Sequence, residues 1–535
     1  MEVLREGYNI PFSRNPPLSP EPIVVQSYSP LSTRGIALAQ ELQALIVKGA
    51  VERAPQTPGF YSRLFLVQKA SGDWRPVIDL SLLNSFVKVS HFHMETPQSV
   101  LRSIRKGDWM ISLDLKDAYL QVPIHPSSRH YLRFVVRDKA YQFRALCFGL
   151  ATAPQVFTRI MAPISSILHT YGIRMLRYLD DWLVLASSET ACVQARERLL
   201  QLCLELGIQI NPNKSVLQPT QSMTFLGMII QSVPFTAKPT QKRVDNLLLL
   251  IEEFTSVQAP PALLWRRLLG HLSSLALLIS GGLLRMRPLQ FRLRALWNFH
   301  DDQTPIPWDY DCQRDLQWWS DTVQNLQGRD LSTPVPDLSF WSDASDSGWG
   351  ALLTDNQTSG TWSREEARLS INMRELMAVQ LGLQQFEHLL LGKTVAIFCD
   401  NVTAVAYLRR QGGTFSRPLF NKARDILLWV ESRHIVLLPQ YIAGSENTTA
   451  DLLSRPNQVV GSEWTLHQEV VNQLLHKWPA IIDLFATSLT ARLPVYFAPS
   501  GDPGAAGADA LLQSWDNLQA YAFPPIAIIR ESYSN

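Results

Sequence analysis

Arg174-Met175-Leu176-Arg177-Tyr178-Leu179-Asp180-Asp181-Trp182-Leu183-Val184-Leu185-Ala186 sets two adjacent acids between apolar runs. The pattern predicts a β-hairpin whose tight turn carries the carboxylates. A lone Asp-Asp pair is most often a solvated turn, but here both arms are apolar enough to be buried. Lifting two anions out of a sheet core is costly without a cation. A divalent metal is the natural partner, and oxygen-only ligands favour magnesium or manganese. A further acid should then converge from elsewhere. Met110-Ile111-Ser112-Leu113-Asp114-Leu115-Lys116-Asp117-Ala118-Tyr119 offers one, a strand-like run with Asp114 among apolar neighbours, where a purely structural Asp is unusual.

Together the two stretches resemble the palm of a reverse transcriptase, Tyr-x-Asp-Asp plus Asp-x-x-x-Ala-[Tyr/Phe]. The resemblance implies a right-hand polymerase of fingers, palm and thumb. It also implies a site in which Asp114 and Asp180 bridge two Mg2+ (or Mn2+) ions and Asp181 supports them. Tyr119 would lie beneath the sugar and select deoxynucleotides. Leu64 to Lys69 and Trp74 to Leu80 read as a hairpin around a Ser-Gly turn. In the family such a hairpin closes over the incoming nucleotide, with Lys69 and Arg75 on its triphosphate. Tyr141 to Phe157 is similar to the family's Leu-Pro-Phe-Gly-Leu-x-x-Ala-Pro-x-x-Phe motif, a loop entering a helix beneath the template base. It supplies Phe148 and Gly149 as substrate-binding residues, Gly149 allowing close backbone approach. Cys147 stands where the family usually has proline, which is expected to loosen that loop. Lys214 matches a lysine near the pyrophosphate. Phe225-Leu226-Gly227 resembles the primer grip.

Composition bounds this reading. A chain of 535 residues, 46% hydrophobic and 18% charged, is long enough for several packed domains and is not disordered. The net charge of +2 means that a nucleic-acid surface must come from local clustering. Residues 259–299 provide a cluster, with no Asp or Glu but with Arg266, Arg267, Arg285, Arg287, Arg292, Arg294, Trp265 and Trp297. A basic, aromatic-studded helical region suits the tracking of a phosphate backbone. The five cysteines are scattered, without CxxC, which argues against a disulfide framework or a zinc site. No signal peptide is expected, and Leu268 to Leu284, broken by glycines, reads as a buried helix rather than a membrane span. The localisation expected is intracellular, cytoplasmic or nuclear.

A second unit follows. Phe340-Trp341-Ser342-Asp343-Ala344 is a strand carrying an acid, and Asn372 to Ala378 opens a helix with Glu375. Val395 to Asp400 ends a strand in an acid, and Asn447 to Arg455 places Asp451 on a last helix. Asp, Glu, Asp, Asp on strand, helix, strand and helix resembles ribonuclease H, which implies that Asp343, Glu375, Asp400 and Asp451 hold a second pair of ions. The loop Ile442 to Glu446 lacks the histidine the family often carries.

After residue 463, Ile482 to Thr487, Leu493 to Tyr496, Asp509 to Leu511, Trp515 and Tyr521 to Pro525 resemble the region after ribonuclease H in DIRS-like retrotransposons (the tyrosine-recombinase type). Their order is also similar to Dam-like adenine methylases, with Phe523-Pro524-Pro525-Ile526 in place of Asn-Pro-Pro-[Tyr/Phe]. The fold class expected is multidomain, α+β and α/β: a right-hand polymerase, an RNase H-like domain and a small Dam-methylase-like remnant. The expected boundaries are 1–34 for an extended lead-in, 35–232 for fingers and palm, 233–333 for thumb and connection, 334–456 for RNase H and 457–535 for the C-terminal segment. The function implied is an RNA-directed DNA polymerase with associated RNase H. Its partners would be an RNA template, a DNA or RNA primer, an RNA–DNA hybrid and deoxynucleoside triphosphates. The alternative is a decayed or host-adopted copy that binds nucleic acid without catalysis.

Overall fold

The computed structural model describes residues 2–25, 28–29, 31–68, 72, 74–455, 465–488, 490–499, 502, 504–515, 518–525 and 529. The chain divides into two compact units. The first comprises Met1–Glu253, Leu277–Ser280 and Ser320–Ser332; the second comprises Phe254–Ala276, Gly281–Trp319 and Thr333–Asn535.

The first unit is built on a four-stranded antiparallel sheet in the order Arg174–Tyr178, Asp181–Ala186, Trp109–Asp114, Val216–Thr220. The two central strands are apolar almost throughout, and Met110, Ile111, Leu113, Trp182, Leu183 and Val184 are all fully buried. Helices Ala153–Thr170 and Glu189–Glu205 pack on this sheet. Helix Glu189–Glu205 is capped by the Ser188 hydroxyl, which accepts the N–H of Ala191.

The hairpin expected near residues 64–80 is present as Arg63–Gln68 paired with Trp74–Asp79. Helix Thr33–Val47 is capped by the Ser32 side chain, which accepts from Gly35, and ends before Gly49 at φ +72°. The lead-in is not wholly extended. It opens with a short helix, Glu2–Glu6, and then lies on the unit through bridges of Tyr8 to Ile124, Phe12 to Val87 and Ser19 to Gly59. Ile10 is buried there, so this segment contributes to the core.

The second unit carries a five-stranded sheet in the order Asn356–Thr361, Gly348–Leu353, Leu338–Ala344, Thr394–Cys399, Val436–Tyr441. The first three strands are antiparallel, and the last two join in parallel. Helix Ile371–Gln385 covers one face. Helix Thr448–Ser454 lies so close to Gly350 that a Cβ there would stand 2.4 Å from Leu453 Cβ and 2.6 Å from the Ala450 carbonyl oxygen. That approach, open only to glycine, seats the last helix on the sheet.

Residues 259–299 form helices Ala262–Leu275 and Gly282–Leu296, so the single buried helix expected over Leu268 to Leu284 is interrupted between Ala276 and Gly281, and several arginines of the region are paired within the unit. Arg266 pairs with Asp302 at 2.7 Å, Arg292 with Asp309 at 3.7 Å, and Arg285 with Glu431. Arg287 and Arg294 donate to the carbonyls of Arg410 (2.9 Å) and Thr414 (2.7 Å). The missing acids lie further along the chain. Among the described residues no helix is long and apolar enough to cross a membrane.

In the C-terminal segment Ile482–Asp483 pairs in parallel with Ala520–Tyr521, and Phe497–Ala498 with Gly507–Ala508. A bridge from Asp483 to Tyr496 links the two pairs.

Candidate functional site

The expected tight hairpin is present, but only one of its two carboxylates lies in the turn. Tyr178 ends one strand and Asp181 begins the next, facing each other in register, so only Leu179 and Asp180 make the turn. Leu179 adopts φ +54°, and the indole N–H of buried Trp182 donates to its carbonyl at 3.1 Å. Asp181 also lies opposite Asp114 across the central strand pair, and the Leu115 N–H donates to the Asp180 carbonyl at 2.9 Å. Three acids from two segments therefore meet at one sheet end. Asp114 is fixed by its own main chain, its N–H donating to Ser215 Oγ (3.0 Å) and its carbonyl accepting from Asn211 (2.8 Å).

This end of the sheet is half-buried, and the acids repel one another. Burial, then Asp180 and Asp114, raises Asp181 to about 6; burial, with Asp114 adding, raises Asp180. Lys214 and Arg75 oppose the rise at Asp180, and Lys214 Nζ lies 3.9 Å from Asp114 Oδ2. An oxygen-only donor set with surplus negative charge fits a hard divalent cation.

Asp114, Asp180, Arg75, Phe148 and Lys214 line one cleft of ≈ 880 Å³, near the upper end of the roughly 300–1,000 Å³ usual for ligand pockets. Arg75 lies 5.3 Å from the Phe148 ring centre. Tyr119 sits in the turn Ala118–Gln121, its ring against Phe148 (4.8 Å) and Phe157 (5.6 Å). Burial and the nearby Asp180 push its hydroxyl up to about 12, so it stays a neutral phenol.

Gly149 takes φ +103° with a hypothetical Cβ only 2.6 Å from the Ile78 carbonyl. Asn84 clamps the loop, donating to the Gly149 carbonyl at 2.8 Å and accepting the Ala151 N–H at 2.9 Å. Cys147 is buried, burial raises its thiol to about 12, and the neighbouring Leu146 N–H donates to the Val122 carbonyl.

Lys69 lies outside the described residues. Phe225, Leu226 and Gly227, expected as a primer grip, lie at the end of the hairpin of Ser222–Phe225 with Met228–Gln231, which turns through Leu226 (φ +48°) and Gly227 (φ +72°). Phe225 is buried, Leu226 and Gly227 are half-buried, and Arg243 donates to the Gly227 carbonyl at 3.2 Å.

In the second unit, Asp343 stands on strand Leu338–Ala344, Glu375 on helix Ile371–Gln385, Asp400 just past strand Thr394–Cys399 and Asp451 on helix Thr448–Ser454. Burial, then Asp343 and Asp400, lifts Glu375 to about 9; burial, with Asp400 and Asp451 adding, raises Asp343; burial and then Asp451 raise Asp400. The four acids thus act on one another through a common site, and they too suit divalent cations.

Two contributors went unnoticed in the sequence. Cys399 Sγ lies 3.7 Å from Glu375 Oε2 and accepts the Asn401 N–H at 3.3 Å. Asn447 donates to the Ser342 carbonyl at 3.0 Å, tying the last helix to the strand of Asp343. Only the one-residue offset between Cys399 and Asp400 hinted at the first, and nothing local marked the second.

Two sheets, each carrying its own cluster of acids, thus stand on one chain. Residues 67–230 match the reverse transcriptase (RNA-dependent DNA polymerase) family, and residues 336–419 match the RNase H-like domain found in reverse transcriptase. The first match takes in Asp114, Asp180 and Asp181, and the second takes in Asp343, Glu375 and Asp400. The chain is 22% identical over 464 residues to the genome polyprotein of Petunia vein clearing virus, covering 84% of this chain and 20% of that protein. It is 25% identical to the enzymatic polyprotein of Cestrum yellow leaf curling virus (82% and 69%). To the Pol polyprotein of transposon gypsy from Drosophila melanogaster it is 23% identical (82% and 42%). The chain thus spans about a fifth of the petunia virus protein. Among solved structures, the foamy viral protease-reverse transcriptase in complex with double-stranded DNA shares the fold, with TM-score 0.51 and 17% identity over 81% of this chain and 75% of that one.

Proposed function

We propose that the chain is an RNA-directed DNA polymerase with associated RNase H, copying a retroelement RNA into DNA and degrading the RNA strand of the hybrid. The observation that carries this is the convergence of Asp114, Asp180 and Asp181 at one sheet end, beside a cleft that also holds Arg75 and Lys214. The substrates would be an RNA template, a DNA or RNA primer and deoxynucleoside triphosphates, and for the nuclease an RNA–DNA hybrid. Mg2+ is the metal favoured by the oxygen donors of the palm, with Mn2+ able to replace it. When bound, such ions stabilise the charge that builds on phosphoryl oxygens and ready the attacking hydroxyl or water.

The chain's own residues do the rest. Asp114 and Asp180 would hold ions against the cleft, and Asp181 would support them from the neighbouring strand. Arg75 and Lys214 would neutralise the triphosphate, while the Tyr119 ring, braced by Phe148 and Phe157, would close the space that a 2′-hydroxyl needs. Asp343, Glu375, Asp400 and Asp451 would serve the nuclease in the same way. We assign the subtype as DIRS-like, from Trp182 after the Asp pair and from the C-terminal segment. The latter would be a methylase-like remnant without activity, since Phe523 replaces the asparagine that binds the adenine amino group. Methyl transfer from labelled S-adenosylmethionine to duplex DNA would overturn that assignment.

The main test is primer extension on an RNA template with Mg2+, together with cleavage of a labelled RNA–DNA hybrid. Both activities are expected, and binding without either would instead support a decayed copy.

A further inference from the structure

The palm cleft contains an ion pair that none of the expected site residues explains. Lys48 Nζ lies 2.7 Å from Asp117 Oδ2, and both residues line the cleft shared by Arg75, Asp114, Asp180 and Lys214. They are 69 positions apart, so the fold rather than local sequence brings them together.

Each backbone is held in place. Lys48 caps helix Thr33–Val47, its N–H donating to the Ala44 carbonyl, and Gly49 turns the chain immediately after it. Asp117 adopts φ +51°, a left-handed conformation that Asp tolerates better than most residues. The turn around it is fixed by Lys116 N–H donating to the Gln209 carbonyl (2.9 Å) and Leu120 N–H to the Asp117 carbonyl (2.8 Å). The Asp117 carboxylate is therefore a built-in feature of the cleft wall, three residues beyond Asp114.

Its charge presents a problem for the proposed substrate. Asp114 and Asp180 belong to the acid cluster that suits cations, but Asp117 is not among the groups that shift Asp180 or Asp181. Left bare, it would face a polyanionic triphosphate across the cleft and repel it.

We propose that Lys48 is a nucleotide-affinity determinant that works by masking Asp117, so that a nucleoside triphosphate meets a wall without uncompensated negative charge. The inference rests on the polymerase reading of this cleft. The side chains of Lys48 and Asp117 are 44% and 33% exposed, and a pair so accessible adds little to folding stability. Its removal should therefore be felt in substrate affinity rather than in the fold.

The test is single-nucleotide extension at saturating primer–template, paired with equilibrium binding of a Mg2+–deoxynucleoside triphosphate, for the wild type, Lys48→Ala, Lys48→Arg, Asp117→Asn and the double variant Lys48→Ala/Asp117→Asn. Lys48→Ala is expected to raise KM and the nucleotide Kd roughly 5- to 10-fold, with kcat within about twofold. Lys48→Arg should restore affinity, and Asp117→Asn should lower KM by freeing a cation. The double variant should return close to the wild type, because the charge and its mask are removed together. An unchanged KM in Lys48→Ala, or a double variant as impaired as that single one, overturns the inference. A wild type that binds nucleotide with this order of affinities but extends no primer would remove the polymerase reading and leave the masking intact. A wild type that binds no nucleotide overturns both.

Discussion

Leu179 holds φ at +54° at the tip of the palm hairpin, a conformation that costs a non-glycine residue roughly 1–2 kcal/mol. The Trp182 indole, donating to its carbonyl from the buried second strand, helps to offset that strain and keeps Asp180 in the turn with Asp181 one step behind. Because the acids of the two units form separate clusters, Asp180→Asn should abolish DNA synthesis and leave hybrid cleavage largely intact. Asp400→Asn should do the reverse, each loss being roughly a thousandfold or more. Primer-extension and hybrid-cleavage assays on the same preparations check this, and loss of both activities in a folded single variant would refute two independent sites. Tyr119→Ala should raise ribonucleotide incorporation, because the ring is wedged between Phe148 and Phe157 and cannot swing aside. Tyr119→Phe should keep sugar selectivity, since the proposed block is the ring and not the hydroxyl. The acids were legible in the sequence because each stands out against an apolar run. Lys48, Cys399 and Asn447 were not, because a lysine after a helix, a cysteine in a strand and an asparagine before a helix look ordinary until a distant segment supplies the partner.

Helix Gly282–Leu296 shows what composition can and cannot tell. A helical region was readable from its basic, aromatic-studded and acid-free composition, but its break before Gly282 and the partners of its arginines were not, because Asp309, Arg410, Thr414 and Glu431 lie up to 146 residues away. The acid hairpin was more legible, since a pair of acids interrupts two apolar runs, although the turn proper is Leu179-Asp180. Within the second unit, Asp315 of helix Tyr310–Gln324 and Arg424 of helix Arg417–Glu431 form a bidentate pair at 2.7 and 2.8 Å. Both residues are buried, so truncating one partner strands the other charge. Asp315→Ala should destabilise the protein by about 3–5 kcal/mol, whereas Asp315→Leu/Arg424→Met should recover much of that loss. Chemical denaturation of the wild type and the two variants decides it. Equal instability in the single and the double variant would mean that packing, not the unpaired guanidinium, dominates.

Over the whole molecule, the palm and the RNase H-like sheet share one design: acids drawn together by strands and helices that are otherwise apolar. Burial and mutual repulsion raise Asp180 and Asp181 in one unit, and Asp343, Glu375 and Asp400 in the other. In each cluster, folding works against its own electrostatics unless a cation enters, and this predicts how stability responds to metal. A ligand that binds only the folded state stabilises it by RT ln(1 + [L]/Kd), about 2.7 kcal/mol at a hundred times Kd. The melting midpoint should therefore rise on adding Mg2+ to chelated protein. In chelator, Asp343→Asn should melt at or above the wild type, because it removes one of the charges that repel Glu375 within the buried site. In saturating Mg2+ the order should reverse, because the variant loses an ion ligand while the wild type gains its full stabilisation. Calorimetry of both proteins with and without metal checks the crossing. If Asp343→Asn were the less stable protein in chelator as well, the carboxylate would be serving the fold directly, and the case for a cation site in the second unit would lose its energetic support.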